Sequence, residues 1–230
     1  MISLTRYGLR EWLGGALIAF PIALALIVLA IIFGFWWMYF PAAFLLLLWL
    51  SVAAFFRDPV RVVPDETDIL ISPADGHIKD IKILESSEFP DFFEKKPVLM
   101  VGIFLSVLDV HLNRAPCPMT VSKIIYKEGK YYDARDERAS KENESNTLLC
   151  KVNSGKHKFP IAIRQVSGAI ARRIVCPVKP KDKFLSGEKF GMIKFGSRTE
   201  LHLPADQPIE LLVKEGDKVT AGTTILARIK

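Results

Sequence analysis

The chain has 230 residues, half of them hydrophobic, with 31 basic and 25 acidic side chains, a formal net charge of +6 and a pI near 9.2. Its three cysteines, Cys117, Cys150 and Cys176, are widely spaced and lack CxxC or Cys/His ligand spacing. That pattern excludes a disulfide framework and a metal site and leaves reduced core or surface thiols. The basic excess is diffuse, without the dense Lys/Arg stripe and interleaved aromatics of a single-strand binder, so it suits an anionic membrane surface and not nucleic acid.

No side chain from Trp12 to Phe56 is charged. A run of about 45 residues suffices for two bilayer crossings at about 20 residues each. A secretory signal would be shorter and would end at a small-residue cleavage site. Gly34-Phe-Trp-Trp-Met-Tyr-Phe-Pro41 interrupts the aliphatic run with interfacial aromatics and a proline, as a turn at a headgroup boundary would. Residues 1–56 are therefore predicted to form a membrane anchor, a transmembrane hairpin of two hydrophobic helices. Arg6 and Arg10 precede the first span and Arg57 and Arg61 follow the second, which puts both ends on the cytoplasmic side of the cell membrane. The competing reading, a hairpin buried in a soluble protein, needs a large core around it.

Residues 57–67 read as a charged, proline-punctuated connector. Beyond it the apolar runs shorten to strand length, and residues 68–230 are predicted to be a β-rich domain with some helix, α+β in class. Val98–Ser106, Phe159–Val166, Ala171–Cys176 and Phe190–Phe195 are the strand candidates. Gly129–Asn146 is polar, follows neither period and reads as an exposed loop with one short helix. Ile209–Ile229, with Glu215-Gly-Asp-Lys-Val219 and Gly222 setting two turns, is similar to the second half of a biotinyl or lipoyl carrier domain, and Ser72-Pro-Ala-Asp-Gly76 to the front of one. Together they predict a β-sandwich with two like halves. No lysine has the environment such carriers use for a tethered cofactor, and the glycines serve as turn formers.

Gly196-Ser197, within Lys194-Phe-Gly-Ser-Arg198, carries the most specific chemistry. A serine hydroxyl that attacks the preceding carbonyl shifts the amide to an ester; elimination then breaks the chain, and hydrolysis leaves a pyruvoyl group on the new N-terminus. Taken alone, Gly-Ser is an ordinary turn. To act, Ser197 needs a base, an unshielded glycine carbonyl before it and a donor for the oxyanion. His111, directly after an apolar strand, is the leading acid or base among four histidines, with His77 as a substitute. Asp75 and Asp109 are the candidate carboxylates for orienting the histidine, Asp109 because residues two apart share a face in an extended segment, and Thr199 is a further hydrogen-bonding candidate. Arg114, Arg172, Arg173 and Lys194 lie in or beside the same segments and are the candidate fixed cations.

Phe55-Phe-Arg-Asp-Pro59, Ser72-Pro-Ala-Asp-Gly76, Phe104-Leu-Ser-Val-Leu-Asp-Val-His-Leu-Asn-Arg-Ala-Pro116 and Gly196-Ser197 follow one another in an order that resembles the phosphatidylserine decarboxylases, in their short bacterial and archaeal form. The resemblance runs from about Phe55 to the C-terminus. It implies a self-cleaving proenzyme, a heterodimer of fragments 1–196 and 197–230, and a covalent pyruvoyl cofactor made from Ser197. It also implies phosphatidylserine as substrate, phosphatidylethanolamine and CO2 as products, and catalytic roles for His111 and Asp75. Longer bacterial relatives carry a second histidine where this chain has Arg114, so either His111 serves both steps or Arg114 supplies part of the work. Two other readings share these features: a non-catalytic membrane-tethered biotinyl-like module, and a decarboxylase of ether-linked serine lipids.

Overall fold

The computed structural model describes residues 2–85, 88–130, 132, 137–155, 157–168, 173–194 and 197–230. Two compact units divide the chain, Met1–Val60 and Arg61–Lys230.

In the first unit β1 (Ile2–Leu4) is followed by α1 (Leu9–Phe33), α2 (Tyr39–Phe55) and β2 (Arg57–Pro59), and β2 pairs antiparallel with β1. Gly34 ends α1 in the left-handed conformation (φ 66°) that glycine adopts without steric penalty, and a single 3-10 turn over Trp36–Met38 opens α2. Pro41 sits in the first turn of α2, where no intrahelical N–H bond is forfeited. The helices meet through small side chains: Ala19, Ala23 and Ala30 of α1 and Ala42 and Ala53 of α2 are buried, so the backbones approach closely. Trp49 fixes the pairing by donating Nε1–H to the Trp12 carbonyl (2.9 Å) and meeting Phe20 edge to face.

The outer faces of both helices remain exposed and apolar, Leu17, Ile18, Ile31 and Phe44 among them. Arg6–Phe33 and Trp36–Phe55 are each long and apolar enough to cross a membrane. A core helix of a soluble protein would bury such side chains, so the exposed apolar surface is consistent with membrane association.

The second unit is mainly β. Its elements run β3 (Ile69–Ile71), β4 (Gly76–Leu84), β5 (Val98–Leu105), β6 (Leu112–Arg114), β7 (Met119–Lys127), α3 (Glu137–Glu142), β8 (Ser145–Val152), β9 (Pro160–Val166) and β10 (Arg173–Val175). They continue with β11 (Lys183–Phe184), β12 (Lys189–Lys194), β13 (Ser197–Pro204), β14 (Ile209–Leu211), β15 (Lys218–Val219) and β16 (Ile225–Ile229). An eight-stranded sheet has the order β11-β7-β8-β9-β13-β5-β4-β15; β10-β12-β6 and β14-β16-β3 form two smaller sheets. All pairings between these strands are antiparallel. One hydrophobic core draws Val101, Ile103, Leu105, Leu148, Ile163, Leu201 and Leu203 from the large sheet, and Leu70, Phe190 and Leu226 from the small ones.

Three of the four predicted strands match closely as β5, β9 and β12, although Phe195 lies outside the described residues. The Ala171–Cys176 candidate shortens to β10, with residues 171 and 172 outside the described set. The short helix in the predicted polar loop is α3, but the loop's end corrects the expectation of exposure. Asn143, Glu144, Ser145 and Asn146 are buried, and the last two already belong to β8. Their polarity is satisfied internally: Asn143 Nδ2 donates to the carbonyls of Tyr132 and Ser167, both at 2.8 Å.

Candidate active site

β13 is buried along its whole length because β5 flanks it on one side and β9 on the other. Strand alternation sends Ser197 and Thr199 to the core face with Leu201 and Leu203, and Arg198, Glu200 and His202 to the opposite face. Ser197 begins the strand, opposite Leu105 of β5; pairing with β9 starts one residue later, at Arg198. The Ser197 side chain is fully buried, and among the described residues its Oγ has no hydrogen-bond partner. Gly196, the other half of the expected cleavage site, lies outside the described residues, as does Arg172.

His111 is fully buried immediately before β6, its carbonyl accepting the Ile193 amide (3.1 Å). Its Nδ1 lies 2.9 Å from the Asp109 carbonyl. A carbonyl only accepts, so this contact assigns the proton to Nδ1 and leaves Nε2 as the basic nitrogen of the neutral ring. Asp109 thus orients the histidine through its backbone; its carboxylate accepts the Ser106 amide (2.8 Å) and closes the turn before His111.

Asp75 is buried at the start of β4. Its Oδ1 accepts the Ala221 amide and its Oδ2 the Arg61 guanidinium, each at 2.7 Å. These are its hydrogen bonds among the described residues; none runs to His111. Burial pushes the carboxyl above its usual pKa, opposed by the Ala221 N–H and Arg61 and assisted by the nearby Asp109 charge. Gly76, at φ 142°, lets the motif pass close to β5, where a Cβ would strike the Phe104 carbonyl oxygen.

Arg114 is buried and donates Nη1–H to the Gly187 carbonyl (3.0 Å). Its stem lies against the Gly222 turn (φ 76°), where an added methyl would stand 2.9 Å from Cδ. The same turn supplies the Ala221 amide to Asp75, so Arg61, Asp75 and Arg114 converge on it. Lys194 is buried at the end of β12, opposite Arg173, which is exposed. His77 is exposed on the side of β4 opposite the core-facing Ile78, and so on the other face of the sheet from Ser197.

A chain of buried side-chain amides, not foreseen from sequence, joins the motif segments. Asn146 Nδ2 donates to Gln165 Oε1 (3.1 Å), Gln165 Nε2 to Asn113 Oδ1 (2.9 Å), and Asn113 Nδ2 to Thr199 Oγ1 (2.9 Å) and the Pro73 carbonyl (3.3 Å). The Pro73 carbonyl also accepts the Arg114 amide (3.0 Å). Asn113 therefore binds the Ser72–Gly76 segment, the His111 strand and β13 into one assembly. Its sequence signal was its place in Leu112-Asn-Arg114, two residues after the histidine.

The opposite face of β13 carries a buried charge cluster. Arg198 bonds Asp80 and Glu200 at 2.7 Å each, His202 lies 3.2 Å from Glu200, and Arg164 reaches Glu88 (2.8 Å) and Glu200 (3.9 Å). Burial alone would raise the Glu200 pKa. The His202 hydrogen bond and the charges of His202, Arg198 and Arg164 outweigh it and hold the carboxyl well below the usual range.

The family model for phosphatidylserine decarboxylase matches residues 50–227. A phosphatidylserine decarboxylase proenzyme of Desulfotalea psychrophila is 47% identical over 175 residues, 76% of this chain and 78% of the relative. Proenzymes of the same name from Carboxydothermus hydrogenoformans (80% of this chain, 82% of the relative) and a Wolbachia of Brugia malayi (76% and 74%) are each 42% identical. The residues matched by the family model include the Asp75, His111 and Ser197 segments and most of the second unit. The chain belongs to the phosphatidylserine decarboxylase family.

Proposed function

We propose that this chain is a self-processing proenzyme that becomes a pyruvoyl-dependent decarboxylase, taking phosphatidylserine and one proton to phosphatidylethanolamine and CO2. The observation that carries this reading is the fully buried Ser197 Oγ, without a hydrogen-bond partner among the described residues, at the start of a central strand. A hydroxyl so placed is desolvated and uncommitted, as a nucleophile toward the preceding carbonyl needs to be, and a group built on residue 197 fits the same position.

In maturation His111 Nε2 takes the Ser197 Oγ proton while the oxygen attacks the Gly196 carbonyl. The C–N bond breaks, the serine nitrogen takes up a proton, and an ester replaces the amide. Loss of the serine α-proton and departure of the Gly196 carboxylate then leave dehydroalanine at 197, whose hydrolysis releases ammonia and leaves the pyruvoyl group. That group supplies an electron sink for the carboxyl-bearing carbon of a bound amine. His111 returns a proton to that carbon, a general acid contribution of about 10² to 10⁴-fold. Asp75, bonded to Arg61 and the Ala221 amide, holds the turn that lies against Arg114, and its main effect is on maturation. Arg114 and Lys194 are the candidates for fixing the anionic headgroup, together with Arg172.

Residues 1–56 form the membrane anchor, 57–67 the connector and 68–230 the catalytic domain, which faces the cytoplasm because basic residues flank both spans. The two biotinyl-like halves form one sandwich, a reading supported by the pairing of β3 with β16 and of β4 with β15. Release of CO2 from phosphatidylserine vesicles tests the function: wild type is expected to be active and Ser197→Ala inert. Equal release by both would refute the role of Ser197.

A further inference from the structure

Cutting the chain before Ser197 turns the middle of a continuous backbone into the end of a strand, and strand ends fray unless they are tied down. The ladder does little for this end, since among the described residues Ser197 pairs with β5 alone and β9 joins at Arg198. The next two residues are instead held from both faces of the sheet. On the core face Asn113 Nδ2 grips Thr199 Oγ1 at 2.9 Å. Asn113 is itself oriented, because Gln165 donates to its oxygen and Asn146 donates to Gln165; Gln165 and Asn113 each accept from one neighbour and donate to the next. On the other face Arg198 is tied to Asp80 and Glu200 at 2.7 Å each. Gly102 makes room for that pair, since a Cβ there would collide with Asp80 Oδ1 and Arg198 Nη2.

We propose that Asn113–Thr199 and Asp80–Arg198 are the two jaws of a clamp that holds the cut end of β13 in place, so that the group formed at residue 197 stays aimed at the site after the chain is broken. Asn113 is on this account a positioning residue whose importance rises at cleavage. Before the cut, backbone on both sides holds residue 197; afterwards it is held from the Arg198 side alone, and the clamp and the ladder fix that side. The inference rests on the reading of Ser197 as the cleaved residue.

The test uses the full chain in phospholipid vesicles and follows self-cleavage, and then kcat and KM of the matured enzyme. Asn113→Asp keeps the shape but faces Thr199 and the Pro73 carbonyl with an acceptor; Thr199→Val keeps the shape but removes the hydroxyl; Thr199→Ser keeps the hydroxyl. For Asn113→Asp and Thr199→Val, cleavage at nearly the wild-type rate is expected, with kcat lowered on the order of 10²-fold, the cost of a misplacement of about 1 Å, and KM little changed. Thr199→Ser restores kcat. Amide exchange at residues 198 and 199 should accelerate in cut Asn113→Asp but not in the same variant kept whole by Ser197→Ala. Cleavage and kcat falling together, or neither falling, overturns the clamp, and so does unchanged exchange in the cut form. Should Asn113→Asp fail to fold, the Thr199→Ser and Thr199→Val pair decides alone. A wild-type chain that is never cut refutes the processing reading, whereas a cut and active wild type matched by Thr199→Val refutes the clamp alone.

Discussion

Among the described residues Ser197 Oγ is buried without a hydrogen-bond partner, and a hydroxyl left so costs about 1–3 kcal/mol of desolvation, which weakens the fold where it stands. The charges on the reverse of the same strand act in the opposite sense. Glu200 has a folded-state pKa below its ordinary value of 4.5. Its stabilisation is therefore complete above that value and is lost as the pH falls toward the folded-state pKa. Glu200→Gln leaves Arg198, and with it Arg164, without their shared carboxylate. We expect it to destabilise the protein by about 3–5 kcal/mol at neutral pH and to flatten the acid limb of the stability curve, read by denaturant melts between neutral pH and pH 3. An unchanged acid limb would mean that Glu200 is not the group responsible. At His111 the Asp109 carbonyl sets the tautomer, so His111→Gln, which lacks a basic nitrogen, is expected to stop cleavage while leaving the chain folded; normal fragments on a denaturing gel would remove His111 from maturation.

At the scale of elements, the parts legible in sequence were those whose pattern is local. The two apolar helices are a composition signal, and Gly34 followed by three aromatics marked their turn. β5 announces itself as a run of Val, Leu and Ile, and β9 by the Ile and Val spaced along it. β13 does not, because Arg198, Glu200 and His202 give it a polar sequence, yet all of it is buried. Its charges are satisfied by partners as distant in sequence as Asp80, 118 positions away, which no local window contains. The amide chain was hidden for the same reason: Asn146, Gln165, Asn113 and Thr199 lie on four different strands. The helices also carry a topological expectation. A single cysteine near Trp37 should react with an impermeant reagent from outside the cell and one at Glu66 should not. The native thiols give a low background, since burial pushes Cys150 up to about 12 and raises Cys117 and Cys176. Labelling at Glu66 from outside would reverse the orientation.

For the whole molecule, cleavage before Ser197 would make one chain into two without taking the second unit apart. Residues 197–230 supply β13 and β15 to the large sheet and β14 and β16 to a small one, and Leu201, Leu203, Val219, Leu226 and Ala227 to the shared core. Separating the fragments would expose all of that apolar surface, so they are expected to co-elute on size exclusion in detergent and to part only in denaturant. Elution of the small fragment by itself in native buffer would contradict this packing. The central claim is that the protein cuts itself at Ser197 and keeps the altered residue, and intact-mass analysis of purified protein under denaturing conditions tests it most directly. The result expected is two species for wild type, residues 1–196 and residues 197–230 with a pyruvoyl-blocked N-terminus, and a single full-length species for Ser197→Ala. A wild-type chain of full-length mass, or the same cut in Ser197→Ala, would contradict it.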